Sequence, residues 1–182
     1  MRLLFLLYFL TLNCLVLAHE GHHKTESAFE NVQDSEELDL SWTEWIGSYH
    51  LVFLHFPIAL INMLAISECL FAWYRKPIFE FSSRFMLISA AIISPFTALL
   101  GLIYSYAVSY EGLMKTFLTW HMWFGISTAI LTIALALIRE QMGISKLYYV
   151  CLVLLVLMIN ITASFGGGMS FGTSYMHPPL EL

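Results

Sequence analysis

The stretch HLVFLHFPIALINMLAISECLFAWY at residues 50–74 decides the fold, because it is almost entirely apolar and includes only one charged side chain, Glu68. A helix that rises 1.5 Å per residue needs about 20 such residues to cross a ~30 Å hydrocarbon core. Three further apolar runs follow, at about 85–108, 118–138 and 147–165. Only a helix satisfies every backbone polar group within one such segment. With short connecting loops, the sequence predicts an all-α membrane protein, an antiparallel up-and-down four-helix transmembrane bundle.

The composition of the whole chain agrees with a membrane protein. Of its 182 residues, 59% are hydrophobic and 12% are charged, and the mean hydropathy is +0.75. A net charge of −5 provides no basic surface for nucleic acid, so that class of partner is excluded. Each of the three cysteines lies in an apolar stretch without a Cys-x-x-Cys-His motif, which excludes covalent c-type haem and a disulfide scaffold. A metal would therefore be held by His or Met.

The N-terminal region is predicted to be exported. Residues 1–18 have the basic start, apolar run and small final residue of a signal peptide that is cleaved after Ala18. Residues 19–47 form an acidic tail, in which His19, His22 and His23 are expected to bind copper or zinc weakly. The transmembrane domain is predicted at 48–175, followed by a C-terminal tail at 176–182.

The basic residues near the span ends predict the orientation. Five of them lie in the first and third loops, and two lie in the second loop and the tail. The five are Arg75, Lys76, Arg84, Arg139 and Lys146, and the two are Lys115 and Lys24. Because cytoplasmic loops carry the excess of Lys and Arg, both mature chain ends are predicted on the exported side.

Three of the seven histidines lie inside the predicted spans, all toward the exported side. His50 and His55 lie in the first turns of span one, and His121 opens span three. A coordinating side chain within a span is costly unless it has a partner. Two imidazoles at one depth on different helices are what a six-coordinate b-type haem needs, so His55 and His121 are the predicted axial ligands. The alternative is that they only hydrogen-bond each other, a carbonyl or water.

His50 is expected to play a different part, because five residues place it about 140° around the helix from His55. It would contact a haem propionate, a quinol oxygen, a second metal or the lipid headgroups. Asn62 and Asn160 are predicted to make hydrogen bonds between helices. Glu68 is expected to reach the cytoplasmic interface near Arg75, with proton conduction as the alternative.

Two expectations concern the chain as a whole. Gly166, Gly167 and Gly168 are interpreted as the stop of the fourth helix. The sequence shows no convincing internal repeat.

The segment HLVFLHFPIAL at residues 50–60 resembles the start of the bacterial membrane family DUF2231, which opens with a His followed five residues later by His-Phe-Pro-Ile-Ala-Leu. The resemblance continues through Gly101, His121 and the glycines after span four, and covers about residues 48 to 175. Leu51 stands where the family commonly has a proline, and Thr173-Ser174 stands where it has His-Gly. The resemblance implies a four-span protein of the bacterial inner membrane that works in respiratory electron transfer, with a c-type cytochrome, a Rieske protein or quinol as partner.

These observations lead to three hypotheses. The first is a b-type cytochrome, or a subunit of a larger respiratory complex, with a haem b held by His55 and His121; it is an electron-transfer or accessory subunit rather than an enzyme by itself. The second is a membrane protein that handles copper or another transition metal. Its ligands would be His19, His22 and His23 of the tail with His50, Met122, Met169, Met176 and His177. The third is a structural membrane subunit without a cofactor.

Overall fold

The computed structural model describes residues 41–172, which form five helices and no strand. The helices are α1 (Trp42–Phe53), α2 (His55–Tyr74), α3 (Pro77–Ala107), α4 (Gly112–Met142) and α5 (Lys146–Phe171). α1 and α2 together make span one, and α3, α4 and α5 make spans two, three and four. Each span is long and apolar enough to cross a membrane. The prediction of an all-α, four-span membrane protein is confirmed.

Several predicted features lie outside the described residues. They are the signal peptide (1–18), the tail histidines His19, His22 and His23, and the C-terminal segment with Met176 and His177. The last part of the predicted tail, 41–47, is described. All of it except Ser41 belongs to α1, so the first helix starts well before the apolar run that predicts it.

Side-chain caps mark the starts of α1 and α5, whereas α2, α3 and α4 begin without one. The Ser41 side chain accepts a hydrogen bond from the Glu44 N–H at the start of α1, and Ser145 does the same for Tyr148 at the start of α5. Span one is interrupted at Leu54, shortly before Pro57, which has no N–H to donate to the carbonyl of the preceding turn. The helices therefore extend beyond the apolar runs.

The expectation that the three glycines end the fourth helix is wrong. α5 continues through Gly166, Gly167 and Gly168 as far as Phe171, and Gly172, with a φ of +81°, ends it. Among these four glycines, only Gly172 adopts the left-handed backbone that favours glycine at a helix end.

The four spans pack as a ring in chain order. Close backbone contacts join consecutive spans and also join span four to span one. Asn160 donates a hydrogen bond to Asn62 across that last junction, with 3.2 Å between Nδ2 and Oδ1, which confirms the predicted link between helices. Spans one and three consequently face each other diagonally, as do spans two and four.

Spans one and two match spans three and four in their buried positions, a structural repeat that is not convincing in the sequence itself. Adding 71 to four of the six buried positions of α2, namely 57, 61, 64 and 68, gives four of the five buried positions of α4. Adding 65 to each of the six buried positions of α3 gives a buried position of α5 in five cases. The chain is therefore two similar helical hairpins arranged about the axis of the bundle.

The repeat relates the ends and the middle of the bundle. His50 and His121 correspond, and they mark what we call the histidine end; Glu68 and Arg139 correspond, and they mark the ionic end. Between the two ends lies a set of four leucines that we call the leucine layer. Its members, Leu64, Leu135, Leu87 and Leu152, are at most 5% exposed and form two pairs related by the repeat.

The leucine layer should contribute strongly to stability. We expect Leu135→Ala to lower the free energy of unfolding by about 3 kcal/mol, because it leaves a cavity in a close-packed interior. The measurement is reversible unfolding in detergent micelles. Leu137→Ala on the same helix is the control, because Leu137 is 54% exposed whereas Leu135 is fully buried. Equal losses in the two variants would contradict a packed core at this depth.

Candidate functional site

His50 and His121 meet across the bundle axis at the histidine end. Their ring centroids are 6.1 Å apart and their planes are nearly perpendicular, at 82°. The two side chains come from the diagonal spans one and three and are each half-buried. The bundle therefore brings together two imidazoles that belong to different hairpins.

Each imidazole is held by the backbone of the following span. His50 Nδ1 donates to the carbonyl of Thr97 in span two, and His121 Nδ1 donates to the carbonyl of Thr162 in span four, both at 2.9 Å. Because a carbonyl can only accept, the Nδ1 atom must carry the hydrogen in both rings. In the neutral imidazole, the lone pair is then on Nε2.

The two threonines that supply these carbonyls also have matching side-chain hydrogen bonds. Thr97 Oγ1 donates to Ile93 O, and Thr162 Oγ1 donates to Met158 O, each one turn back along its own helix. The hydroxyls therefore bond within their helices and leave the threonine carbonyls to the histidines.

Two glycines allow the rings to approach the helices so closely. A Cβ on Gly101 would lie 2.8 Å from His50 Cε1, and a Cβ on Gly166 would lie 3.1 Å from His121 Cε1. Each glycine comes one helical turn after the threonine whose carbonyl anchors the same ring. The unit of histidine, carbonyl and glycine is thus built twice, once in each hairpin.

The Nε2 atoms remain available to a ligand. Within residues 41–172, neither Nε2 atom has a hydrogen-bond partner, and neither is among the buried polar atoms that lack one. The same part of the chain contains no group of three His, Cys, Asp or Glu residues that could hold a metal ion. The site thus presents two imidazole ligands and no third ligand of those types.

The structure places His55 elsewhere. Its side chain is exposed, and its Nδ1 lies 3.4 Å from the Val52 carbonyl in the same span. The residue that lies opposite His121 is His50, the one predicted to point away from the pair. The inward face of span one includes His50, and His55 is turned from it by the five-residue offset that the sequence itself predicts.

Glu68 and Arg139 form a second polar cluster at the ionic end. Arg139 Nη1 donates to Glu68 Oε1, and the two side chains are 6% and 2% exposed for Arg139 and Glu68, respectively. Tyr148 OH donates to the same Glu68 oxygen at 2.9 Å, and Tyr149 OH lies 3.5 Å from Glu68 Oε2. Two expectations are corrected here: Glu68 pairs with Arg139 rather than reaching the interface near Arg75, and Arg139 lies inside the bundle rather than in a loop.

Arg139 contacts all three of the other spans. Its Nη1 also donates to Tyr148 OH in span four at 2.7 Å, and its Nη2 donates to Ser83 Oγ in span two at 3.1 Å and to the Glu80 carbonyl at 3.3 Å. Ser83 and Tyr148 are themselves equivalent positions under the repeat of spans two and four. A single guanidinium therefore links every span at this depth.

Sequence reasoning missed the repeat, the anchoring carbonyls and the ion pair. One signal was present in the spacing, because the offset from His50 to Glu68 equals the offset from His121 to Arg139. Each offset amounts to about five full helical turns at about 3.6 residues per turn. In α4 this spacing puts His121 and Arg139 on one helix face, and the equal offset in span one points to His50 rather than His55 as the partner of Glu68.

A family model described as "Predicted membrane protein (DUF2231)" matches residues 48–175 of the chain. No curated protein and no solved structure matches it. The matched range includes His50, His121, both glycines of the site and the whole ionic cluster.

The glycines beside the imidazoles should not tolerate a side chain. We expect Gly101→Ala and Gly166→Ala to displace the rings, break the Nδ1 hydrogen bonds and lower the free energy of unfolding by about 1 to 3 kcal/mol. Histidine ¹⁵N chemical shifts and unfolding in detergent measure the two effects. Gly125→Ala is the control, since its Cβ would meet Thr162 Cγ2 at an ordinary 3.7 Å. Unchanged ¹⁵N shifts in the first two variants would contradict this account of the site.

Proposed function

The chain belongs to the DUF2231 family of membrane proteins, and we propose that its bundle is a b-type cytochrome that holds a haem b between His50 and His121. The observation that carries the proposal is the pair of imidazoles on diagonal spans, each anchored through Nδ1 to a carbonyl. This assignment keeps His121 from the sequence analysis and replaces His55 by His50.

The number of ligands favours haem over a bare metal ion. A structural zinc ion takes four protein ligands, and a catalytic one takes three. The macrocycle of a haem supplies four nitrogens, so its iron needs two axial ligands from the protein. The described residues offer two imidazoles and no third His, Cys, Asp or Glu beside them.

The separation of the rings also suits one shared metal atom. With a metal–nitrogen bond of about 2 Å, two imidazoles on opposite sides of one ion have centroids on the order of 6 Å apart. The centroids of His50 and His121 are 6.1 Å apart.

The anchoring carbonyls would prepare both rings for this role. A ligating histidine commonly donates its second ring N–H to a carbonyl or a carboxylate, which fixes the ring orientation and makes the ligating nitrogen more basic. Thr97 and Thr162 supply such carbonyls, so Nε2 is the ligating atom in both residues. Bound here, the haem would take up and release single electrons by cycling between ferric and ferrous iron.

The partner would dock at the histidine end. A c-type cytochrome, a Rieske protein or quinol is the partner class, in keeping with a subunit of a respiratory chain. Exposed aromatic side chains on α1, namely Trp42, Trp45 and Tyr49, would keep this end at the membrane surface, where tryptophan and tyrosine prefer to lie.

Copper is the alternative at the same site, since two imidazoles also suit a cuprous ion. The acidic tail with His19, His22 and His23 would then deliver metal to it.

The test is a reduced-minus-oxidised visible spectrum of the full chain purified from its membrane. We expect the bands of a low-spin b-type haem, lost in His50→Ala and in His121→Ala because each removes one axial ligand. His55→Ala is the matched control and should retain the spectrum, because that side chain is exposed and faces away from the site.

Three results would contradict the proposal. Retention of the bands in both His50→Ala and His121→Ala would show that the haem ligands lie elsewhere. A colourless protein with one bound copper would establish the copper alternative, and a protein with neither would favour a structural subunit.

The proposal places electron exchange on the exported side, which follows from the predicted orientation. Lys76 and Glu111 are exposed residues in the first and second loops. With the native cysteines replaced by serine, Glu111→Cys should react with a membrane-impermeant maleimide in intact cells, and Lys76→Cys should react only after lysis. The reverse pattern would put the histidine end in the cytoplasm.

A further inference from the structure

The buried ion pair at the ionic end lies on the same two spans as the histidine pair. Glu68 follows His50 in span one by the same offset with which Arg139 follows His121 in span three. In the continuous helix α4 this offset completes about five turns and covers about 27 Å, whereas in span one it crosses the interruption at Leu54. Both pairs therefore occupy corresponding places on diagonal spans, one pair at each end.

From this geometry, we propose that Glu68 and Arg139 are positioning residues for the histidine pair: their contact fixes the axial register of span one against span three. The inference rests on the proposed function only in that it takes the histidine pair as the site.

The register of diagonal helices needs such a device. Consecutive spans are joined by short loops, but spans one and three are joined only through span two. Between the two pairs, span one buries apolar side chains such as Leu64, and the buried threonines of span three, Thr128 and Thr132, make no hydrogen bond to span one. Apolar contacts are not directional, so they resist sliding by one residue far less than a hydrogen-bonded charge pair does.

The consequence of slippage would be felt at the histidines. A slip of one residue moves one imidazole about 1.5 Å along the axis and turns it by about 100° relative to the other. Each ring is tied to a carbonyl of the other helix in its own hairpin. After such a slip, the two rings would therefore no longer lie at one depth. The ion pair opposes this slip, because separation would leave an unpaired charge in a membrane interior.

The surroundings of the ion pair support an exchange of its two charges. Under the repeat, positions 68 and 139 are equivalent, and so are Ser83 and Tyr148, whose hydroxyls both contact Arg139. A hydroxyl can donate to a carboxylate and accept from a guanidinium. The double variant Glu68→Arg/Arg139→Glu should therefore rebuild the contact with the charges reversed.

The experiment measures the distance between spans one and three without using the cofactor. Spin labels are placed at the exposed positions Val52 and Trp123 of the full chain, after replacement of the native cysteines, and the distance distribution is recorded by pulsed EPR. We expect Glu68→Gln to shift or broaden the distribution by about 1.5 Å or more. The double exchange should restore it.

Glu140→Gln is the matched control. Glu140 follows Arg139 in the sequence and forms its own ion pair with Arg84, but both side chains of that pair are exposed, at 42% and 54%. Loss of this exposed ion pair should leave the distance between the spin labels unchanged. Arg139→Lys keeps the charge with fewer donors and should give a smaller shift than Glu68→Gln.

Three results decide the proposal. Unchanged distances in both Glu68→Gln and Arg139→Lys would overturn it, and so would a folded double exchange that fails to restore the wild-type distance. If Glu68→Gln does not fold, the double exchange and Arg139→Lys decide alone. A shifted distance in a protein without haem bands would support the register function while refuting the cytochrome.

Discussion

The pairing of Glu68 with Arg139 is the interaction on which the rest of the bundle depends. A charged side chain that is buried without a partner is strongly destabilising, because its desolvation is not offset. Glu68 and Arg139 are both buried, and each presents its charge to the other. Because a guanidinium has five donors, Arg139 also reaches Ser83 and Tyr148 in the remaining two spans. The four helices are gathered around one cation.

The two ends of the bundle treat the internal repeat in opposite ways. At the histidine end the repeat is kept, since both halves supply an imidazole, a threonine carbonyl and a glycine. At the ionic end it is broken, since one half supplies the anion and the other the cation. Two equal imidazoles suit a metal centre with two equivalent faces, whereas opposite charges fix which face of one hairpin meets the other. The same backbone plan thus provides a symmetric site and an asymmetric link.

The sequence predicts the four spans because a membrane requires long apolar helices with no unsatisfied backbone. It does not show how each helix is turned about its own axis. That rotation decides between His50 and His55, and it depends on Glu68, a residue five turns away. The helix ends also differ from the prediction: α1 begins at Trp42 after the Ser41 cap, and α5 continues through three glycines to Phe171. The repeat is weak in the sequence because few of its equivalent residues are identical. Thr97 and Thr162 are one identical pair, and Gly101 and Gly166 are another.

The leucine layer also determines how charge can move within the bundle. An internal water molecule needs two to four polar partners, and four packed leucines supply none. A chain of water molecules from the ionic end to the imidazoles would find no hydrogen-bonding side chain at this layer. A change of charge at His50 and His121 would therefore be balanced from the aqueous phase on their own side. The leucine layer would thus insulate the two aqueous phases from each other, and charge at the histidine end would be exchanged with only one of them.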